Sequence, residues 1–261
     1  FWLKLLRLRL VRVLLRRQLA PFVPVASPSA MAAAAPRIVF LHGLESGPGG
    51  SKHRFLKEHF GERVACQGMQ VSLYHPLKAN GLLRQCLAHC FTTLPWNVCP
   101  WAVRASLEGC LATQREELAA AQLGGGVLVA SSWGGAVAAL ALARGEWLGP
   151  TILLAPAYGR AGRWAAGSGD GWSPDEVYAA IVARLEAAGE RAAQLRQQII
   201  IVHGTCDSTV PLEDSRAMAR ATGVQLLEIE GGDHRLNEAV LGGEQPLLKT
   251  LIKQVTSCAE Q

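Results

Sequence analysis

Three short segments carry residue types that could do chemistry together. Ala130-Ser131-Ser132-Trp133-Gly134-Gly135 sets a serine between small residues. Small side chains two before and two after a serine suit a tight strand-to-helix turn, which brings two backbones close together. Such a turn holds the hydroxyl at a helix N-terminus, where the dipole favours negative charge. Ser131 competes for this role, but counting from the preceding apolar run puts Ser132 at the apex. The segment His203-Gly204-Thr205-Cys206-Asp207-Ser208-Thr209-Val210-Pro211 has an aspartate four residues past an apolar run. That is the place for an orienting acid, and equally for an N-cap or turn aspartate. Gly231-Gly232-Asp233-His234-Arg235-Leu236 places a histidine in a late loop, as a general base or as a plain surface residue. Serine is a poor nucleophile at neutral pH without an adjacent base, so the three types matter jointly. They occur in the order Ser132, Asp207, His234, each after its own apolar run. Asp233 is a rival acid, but it is adjacent in sequence to His234 and less able to reach the ring's Nδ1.

The elements that must position these residues are short apolar runs alternating with helical patterns. Candidate strands are Arg37–Leu41, Gln70–Tyr74, Val127–Ser131, Thr151–Ala155, Ile199–His203 and Gln225–Ile229. Most are continuously apolar, as parallel strands buried on both faces are. Candidate helices lie near 52–60, 102–122, 134–144, 174–195, 212–222 and 246–256. Alternation of this kind predicts an α/β sheet of about six mainly parallel strands, whose sites sit at the carboxyl ends of the strands. The first strand runs into Leu41-His42-Gly43-Leu44-Glu45-Ser46-Gly47-Pro48-Gly49-Gly50. The turn is not a Walker A loop, because Ser51 separates Gly50 from Lys52, and G-x-G-x-x-G is absent.

These motifs resemble those of the α/β-hydrolase superfamily, and most closely its small esterase and thioesterase members. The residues that carry the resemblance are LHG at 41–43, SSWGG at 131–135, HGTCDSTVP at 203–211 and GGDHRL at 231–236. The likeness spans about residues 37–257 and implies an α/β-hydrolase fold, in a reduced version without the usual first two strands. The stretch of about 50 residues between the second and third candidate strands departs from the usual single helix. The resemblance implies Ser132 as nucleophile, His234 as base and Asp207 as the acid that orients it. It also implies an oxyanion hole from the backbone N–H groups of Leu44 and Trp133. His42 would structure the oxyanion loop rather than act as a base. The reaction expected is cleavage of a carboxylic ester through an acyl-enzyme. An acyl-thioester or acyl-protein hydrolase, or a ligand-binding module on this fold, stays open beside it. The partner expected is a small-molecule acyl ester or thioester, and the chemistry requires no metal or organic cofactor. Residues 79–103 and 156–173 are candidate cap elements, with Trp164 and Trp172 as candidate pocket residues. The apolar stripe Leu83, Cys86, Leu87, Cys90 and Phe91 reads first as core.

Composition narrows the classes further. Hydrophobic residues make up 49% and charged residues 18%, enough for a sizeable core and against disorder. The net charge of +5 is concentrated at the start. Six of the 26 basic residues precede Arg37 and no acid does, which leaves 20 basic against 21 acidic residues beyond. A clustered basic surface for nucleic acid is therefore not expected. Seven cysteines without a CxxC spacing favour reduced thiols over a disulfide framework. Cys86, His89, Cys90 and Cys99 read as packing rather than as a zinc set. Residues 118–143 are uncharged, but glycines at 124–126 and 134–135 make them strand–turn–helix rather than a membrane span. Integral membrane association is not expected. Residues 1–36 are basic and acid-free, then rich in Pro, Ala and Ser, and are expected outside the single domain at 37–261. They read as a chloroplast or mitochondrial leader, or as sequence upstream of a start near Met31, which would make the protein cytoplasmic.

Overall fold

Alternation along the strands explains the layering. Ile38 and Phe40 join one buried cluster with Val127, Val129, Ile152, Leu154, Ile200 and Val202. Their neighbours Val39, Leu41, Leu128, Ala130, Leu153, Ile199 and Ile201 join another. Successive side chains of a strand point to opposite faces, so a sheet with two apolar faces has to be covered on both. The computed structural model describes residues 36–44, 46–69 and 100–257, which fall in one contact unit, 35–261.

The strands are β1 (Ile38–Leu41), β2 (Val64–Ala65), β3 (Val127–Ser131), β4 (Thr151–Leu154), β5 (Ile199–Gly204) and β6 (Gln225–Ile229). They form one sheet in the order β2-β1-β3-β4-β5-β6, and every pairing is parallel. The helices are α1 (Ser51–Phe60), α2 (Pro100–Leu123), α3 (Trp133–Arg144), α4 (Tyr158–Ala165), α5 (Pro174–Glu186), α6 (Ala192–Gln197), α7 (Leu212–Thr222), α8 (Asn237–Leu241) and α9 (Leu247–Ser257). The Ile38 side of the sheet is covered by Phe55 and Leu56 of α1, Val240 of α8, and Leu248, Leu251, Ile252 and Val255 of α9. The other side is covered by α2 to α7, with Leu107, Leu111, Leu118, Tyr158, Ile181, Leu185, Leu195 and Met218 among the buried residues. Residues 133–143 of α3 are buried throughout, as an all-apolar helix must be.

The sheet has the expected strand number, but not all of its elements are the expected ones. The expected strand Gln70–Tyr74 lies outside the described residues. The strand at that edge is Val64–Ala65, too short to leave a period-2 pattern. The expected helix 174–195 is divided. It opens on a capping box, with Ser173 Oγ accepting from the Glu176 N–H and Pro174 in the first turn. It stops at Glu186, and Gly189, with φ 61°, turns the chain before α6 begins. Of the candidate caps, residues 79–99 lie outside the described residues, and residues 100–103 begin α2. Residues 156–173 supply α4, whose buried Tyr158, Ala161 and Ala165 make it part of the packed body. No helix among the described residues is long and apolar enough to cross a membrane.

Candidate active site

The turn after β3 is forced into a sharp bend by what surrounds it. Ser132 has φ 53° and ψ −113°, a conformation that costs a non-glycine residue about 1–3 kcal/mol. Three backbone hydrogen bonds hold it there. The Ser132 N–H donates to Leu154 O at 2.9 Å, and Ser132 O accepts from the Ala157 N–H at 3.0 Å and the Ala136 N–H at 3.1 Å. The turn is thus fastened to the end of β4, where Ala155 also has a positive φ of 45°. The glycines are required by close approach. A Cβ on Gly134 would fall on the Leu41 carbonyl of β1, and one on Gly135 would lie 2.7 Å from Pro156 Cα. Gly135→Ala is therefore expected to destabilise the protein by about 3 kcal/mol, read by urea denaturation, since the obstacle is backbone that cannot swing aside.

The other two residues arrive on neighbouring loops that are stitched together. The Gly231 N–H donates to Thr205 Oγ1 at 2.9 Å, and the Cys206 N–H donates to Gly232 O at 2.9 Å. This junction leaves no room for a Cβ at Gly204, which would meet the Gly232 carbonyl. Across it, the His234 Nδ1 lies 2.7 Å from Asp207 Oδ2 and the Nε2 lies 2.9 Å from Ser132 Oγ. The structure therefore joins the three residues in one hydrogen-bonded chain, Ser132–His234–Asp207. Asp233 is engaged elsewhere, its Oδ1 accepting from the Leu236 N–H at 2.7 Å. That bond ties down the loop at Leu236, a buried residue with φ 55°.

Asp207 is fully buried at its side chain and is heavily hydrogen-bonded. Oδ1 accepts from the N–H groups of Thr209 and Val210, both at 2.8 Å. Oδ2 faces two histidines, His234 and His203, whose Nε2 lies 3.1 Å away. Burial alone would raise the carboxyl's pKa. The hydrogen bonds from His203, His234, Val210 and Thr209 outweigh it and hold the group well below the usual carboxylate range.

Sequence reasoning passed over His203, although it opens the HGTCDSTVP motif. Its Nε2 also lies 3.0 Å from Val210 O, and two acceptors at one nitrogen require a proton there. Its Nδ1 meets Ser215 Oγ at 2.7 Å, which links Asp207 to α7. A buried histidine at the end of a strand and four residues before an acid was the available signal.

The remaining candidates divide. His42 is buried, with Nδ1 donating to Gly43 O at 2.8 Å and Nε2 accepting from the Met69 N–H at 2.9 Å. Burial pushes its pKa down, and the bond to Gly43 pulls it up. It is consumed in holding the loop after β1. Leu44 and Trp133 line the same cavity as Ser132, Leu44 after β1 and Trp133 in the first turn of α3. Trp164 lines this cavity too. Trp172 does not. Its ring is buried, with the guanidinium carbons of Arg104 and Arg144 at 5.0 and 5.6 Å from its centroid. Two cations claim its faces, which makes it a packing residue of α2 and α3. The cavity measures about 750 Å³ and is also lined by Lys52, Arg160, Asp233 and Arg235, none of them singled out in the sequence as pocket residues.

A scan of family models and a search of curated proteins give no match. Solved structures do match. One is described as a hydrolase of the alpha/beta superfamily from Xanthomonas campestris pv. campestris. It is 19% identical, with 87% of this chain and 99% of that chain covered and a TM-score of 0.50. Another is the ydeN gene product of B. subtilis, 15% identical, with 85% and 100% covered and a TM-score of 0.52. At these identities the likeness is one of fold.

Proposed function

The chain has the α/β-hydrolase fold, and from that premise we propose that it is a serine hydrolase of carboxylic esters. The observation that carries this reading is the hydrogen-bonded chain from Ser132 Oγ through His234 to Asp207 Oδ2, open to a cavity at Ser132. In this reading, His234 Nε2 takes the Ser132 proton as Oγ attacks the acyl carbon. The tetrahedral oxyanion is met by the N–H groups of Leu44 and Trp133. His234 then hands its proton to the leaving alcohol oxygen, and the C–O bond breaks to leave an acyl-Ser132. Water enters by the same base, and the acid departs. Asp207 keeps Nδ1 protonated throughout, so that Nε2 is the basic nitrogen, and it stabilises the imidazolium.

The test is labelling with a fluorophosphonate probe, alongside a p-nitrophenyl ester series of increasing acyl length and a matched acyl thioester. Labelling of the folded wild type is expected. Absence of labelling would remove the hydrolase reading and leave a binding module. Preference for the thioester at equal acyl length would move the assignment to a thioesterase. A sharp optimum in acyl length would measure the depth of the cavity.

A further inference from the structure

The charges around the cavity are not those of the chain as a whole. From Arg37 onward, basic and acidic residues nearly balance, at 20 against 21. Yet the described residues lining the cavity include Lys52, Arg160 and Arg235 against one carboxylate, Asp233. Asp207 is not among the residues lining the cavity; its side chain is buried beneath the loops against two histidines. Asp233 is committed to the Leu236 N–H at one of its oxygens.

Two of these cations, Lys52 and Arg160, are also held in place at the cavity. Lys52, in the first turn of α1, donates to Arg235 O at 2.6 Å and to Asn237 Oδ1 at 3.2 Å. An ammonium has three N–H donors, so one remains for the cavity. Burial pushes the Lys52 pKa down to about 8, with Asp233 raising it and Arg235 lowering it. Burial is the larger influence, and Asp233 offsets it only in part while opposing it more than Arg235 adds to it. Arg160, on α4, is anchored by its Nη1 bond to Thr209 O and by the Trp164 ring, whose centroid lies 4.9 Å from the guanidinium carbon. A guanidinium fixed in this way has further N–H groups in a planar fork, a shape that suits a carboxylate or phosphate. No acidic residue occupies the first turn of α1.

We propose that the ester taken by this site carries a second, anionic group, a carboxylate or a phosphate, and that Lys52, Arg160 and Arg235 receive it. This deepens the serine-hydrolase reading and rests on it for the ester, though not for the anion. Like charges gathered on one concave wall raise the local concentration of anions and leave a neutral ester with uncompensated cations beside it.

Two matched pairs of probes test the proposal. Mono-p-nitrophenyl adipate is compared with p-nitrophenyl hexanoate, and the acetyl ester of glycerol 3-phosphate with that of glycerol. A preference in kcat/KM of about tenfold for the anionic member is expected in at least one pair, the pair identifying carboxylate or phosphate. It should shrink as salt is raised toward 0.5 M, since partly exposed charges are screened. Arg235→Gln should reduce the ratio several-fold and Arg235→Glu should bring it to unity or below, each variant serving as its own control through the neutral ester. Binding of the same probes to Ser132→Ala separates this proposal from the catalytic one. Preferential binding of the anionic ester without turnover by the wild type keeps the anion site and removes the hydrolase. Equal binding and equal turnover of both members of both pairs overturns the anion site, whatever the state of the hydrolase.

Discussion

Ser132→Ala is expected to abolish hydrolysis and fluorophosphonate labelling while leaving the protein folded. The fall in kcat should be about 10⁶-fold, the scale on which loss of a serine nucleophile acts. The fold should survive because Oγ hydrogen-bonds only His234 among the described residues, and the backbone bonds of residue 132 to Leu154, Ala136 and Ala157 do not involve the side chain. A further variant reads the strain in the turn. Alanine at φ 53° keeps the unfavourable conformation and glycine does not. Ser132→Gly should therefore be equally inactive, yet about 1 kcal/mol more stable than Ser132→Ala in urea denaturation. Equal stability of the two would mean that the turn is not strained.

Asp207→Asn is expected to lower kcat by about 10⁴-fold with a modest change in KM, the size of effect that the same exchange has in a protease with a Ser-His-Asp triad. The reason lies in the four donors around the carboxylate. The carboxamide oxygen stays with the N–H groups of Thr209 and Val210, which presents its NH₂ to His234 and His203. Two ring N–H groups then face a donor. His234 escapes by moving its proton to Nε2, which leaves Ser132 without a base. Stability should respond as well. The Asp207 pKa is depressed in the folded protein, so its contribution is present above the ordinary carboxylate pKa of about 4 and is lost as pH falls below it. Wild-type stability should therefore decline on acidification below about pH 4, and Asp207→Asn should flatten that decline while being less stable at pH 7. A variant as active as the wild type would remove Asp207 from the mechanism and return Asp233 as the acid.

Residue type and local spacing were enough to single out Ser132, Asp207 and His234, because each sits where a strand ends and each has a side chain suited to one step of acyl transfer. The strands themselves were legible, since burial on both faces leaves runs such as Ile199-Ile200-Ile201-Val202 with no polar interruption. So was the requirement for small residues at 130 and 134, whereas that at 135 comes from the approach of Pro156. What the sequence could not settle depends on partners far away along the chain. Asp233 and Asp207 looked like rivals until the stitched loops put Asp207 against His234 and turned Asp233 toward Leu236. Trp172 looked like pocket because it follows β4, but Arg104 and Arg144 from two other helices claim its ring. His203 drew no notice although Asp207 lies only four residues on; its own loop bends Asp207 and Val210 onto Nε2, and only the packing of α7 brings Ser215 to Nδ1. The cationic wall has the same origin, with Lys52, Arg160 and Arg235 separated by more than a hundred residues at one step. Local chemistry is written into neighbours in sequence and can be read there. Hydrogen bonds, charge pairing and the shape of a cavity depend on distance in space, and only the packed sheet with its two covered faces sets those distances.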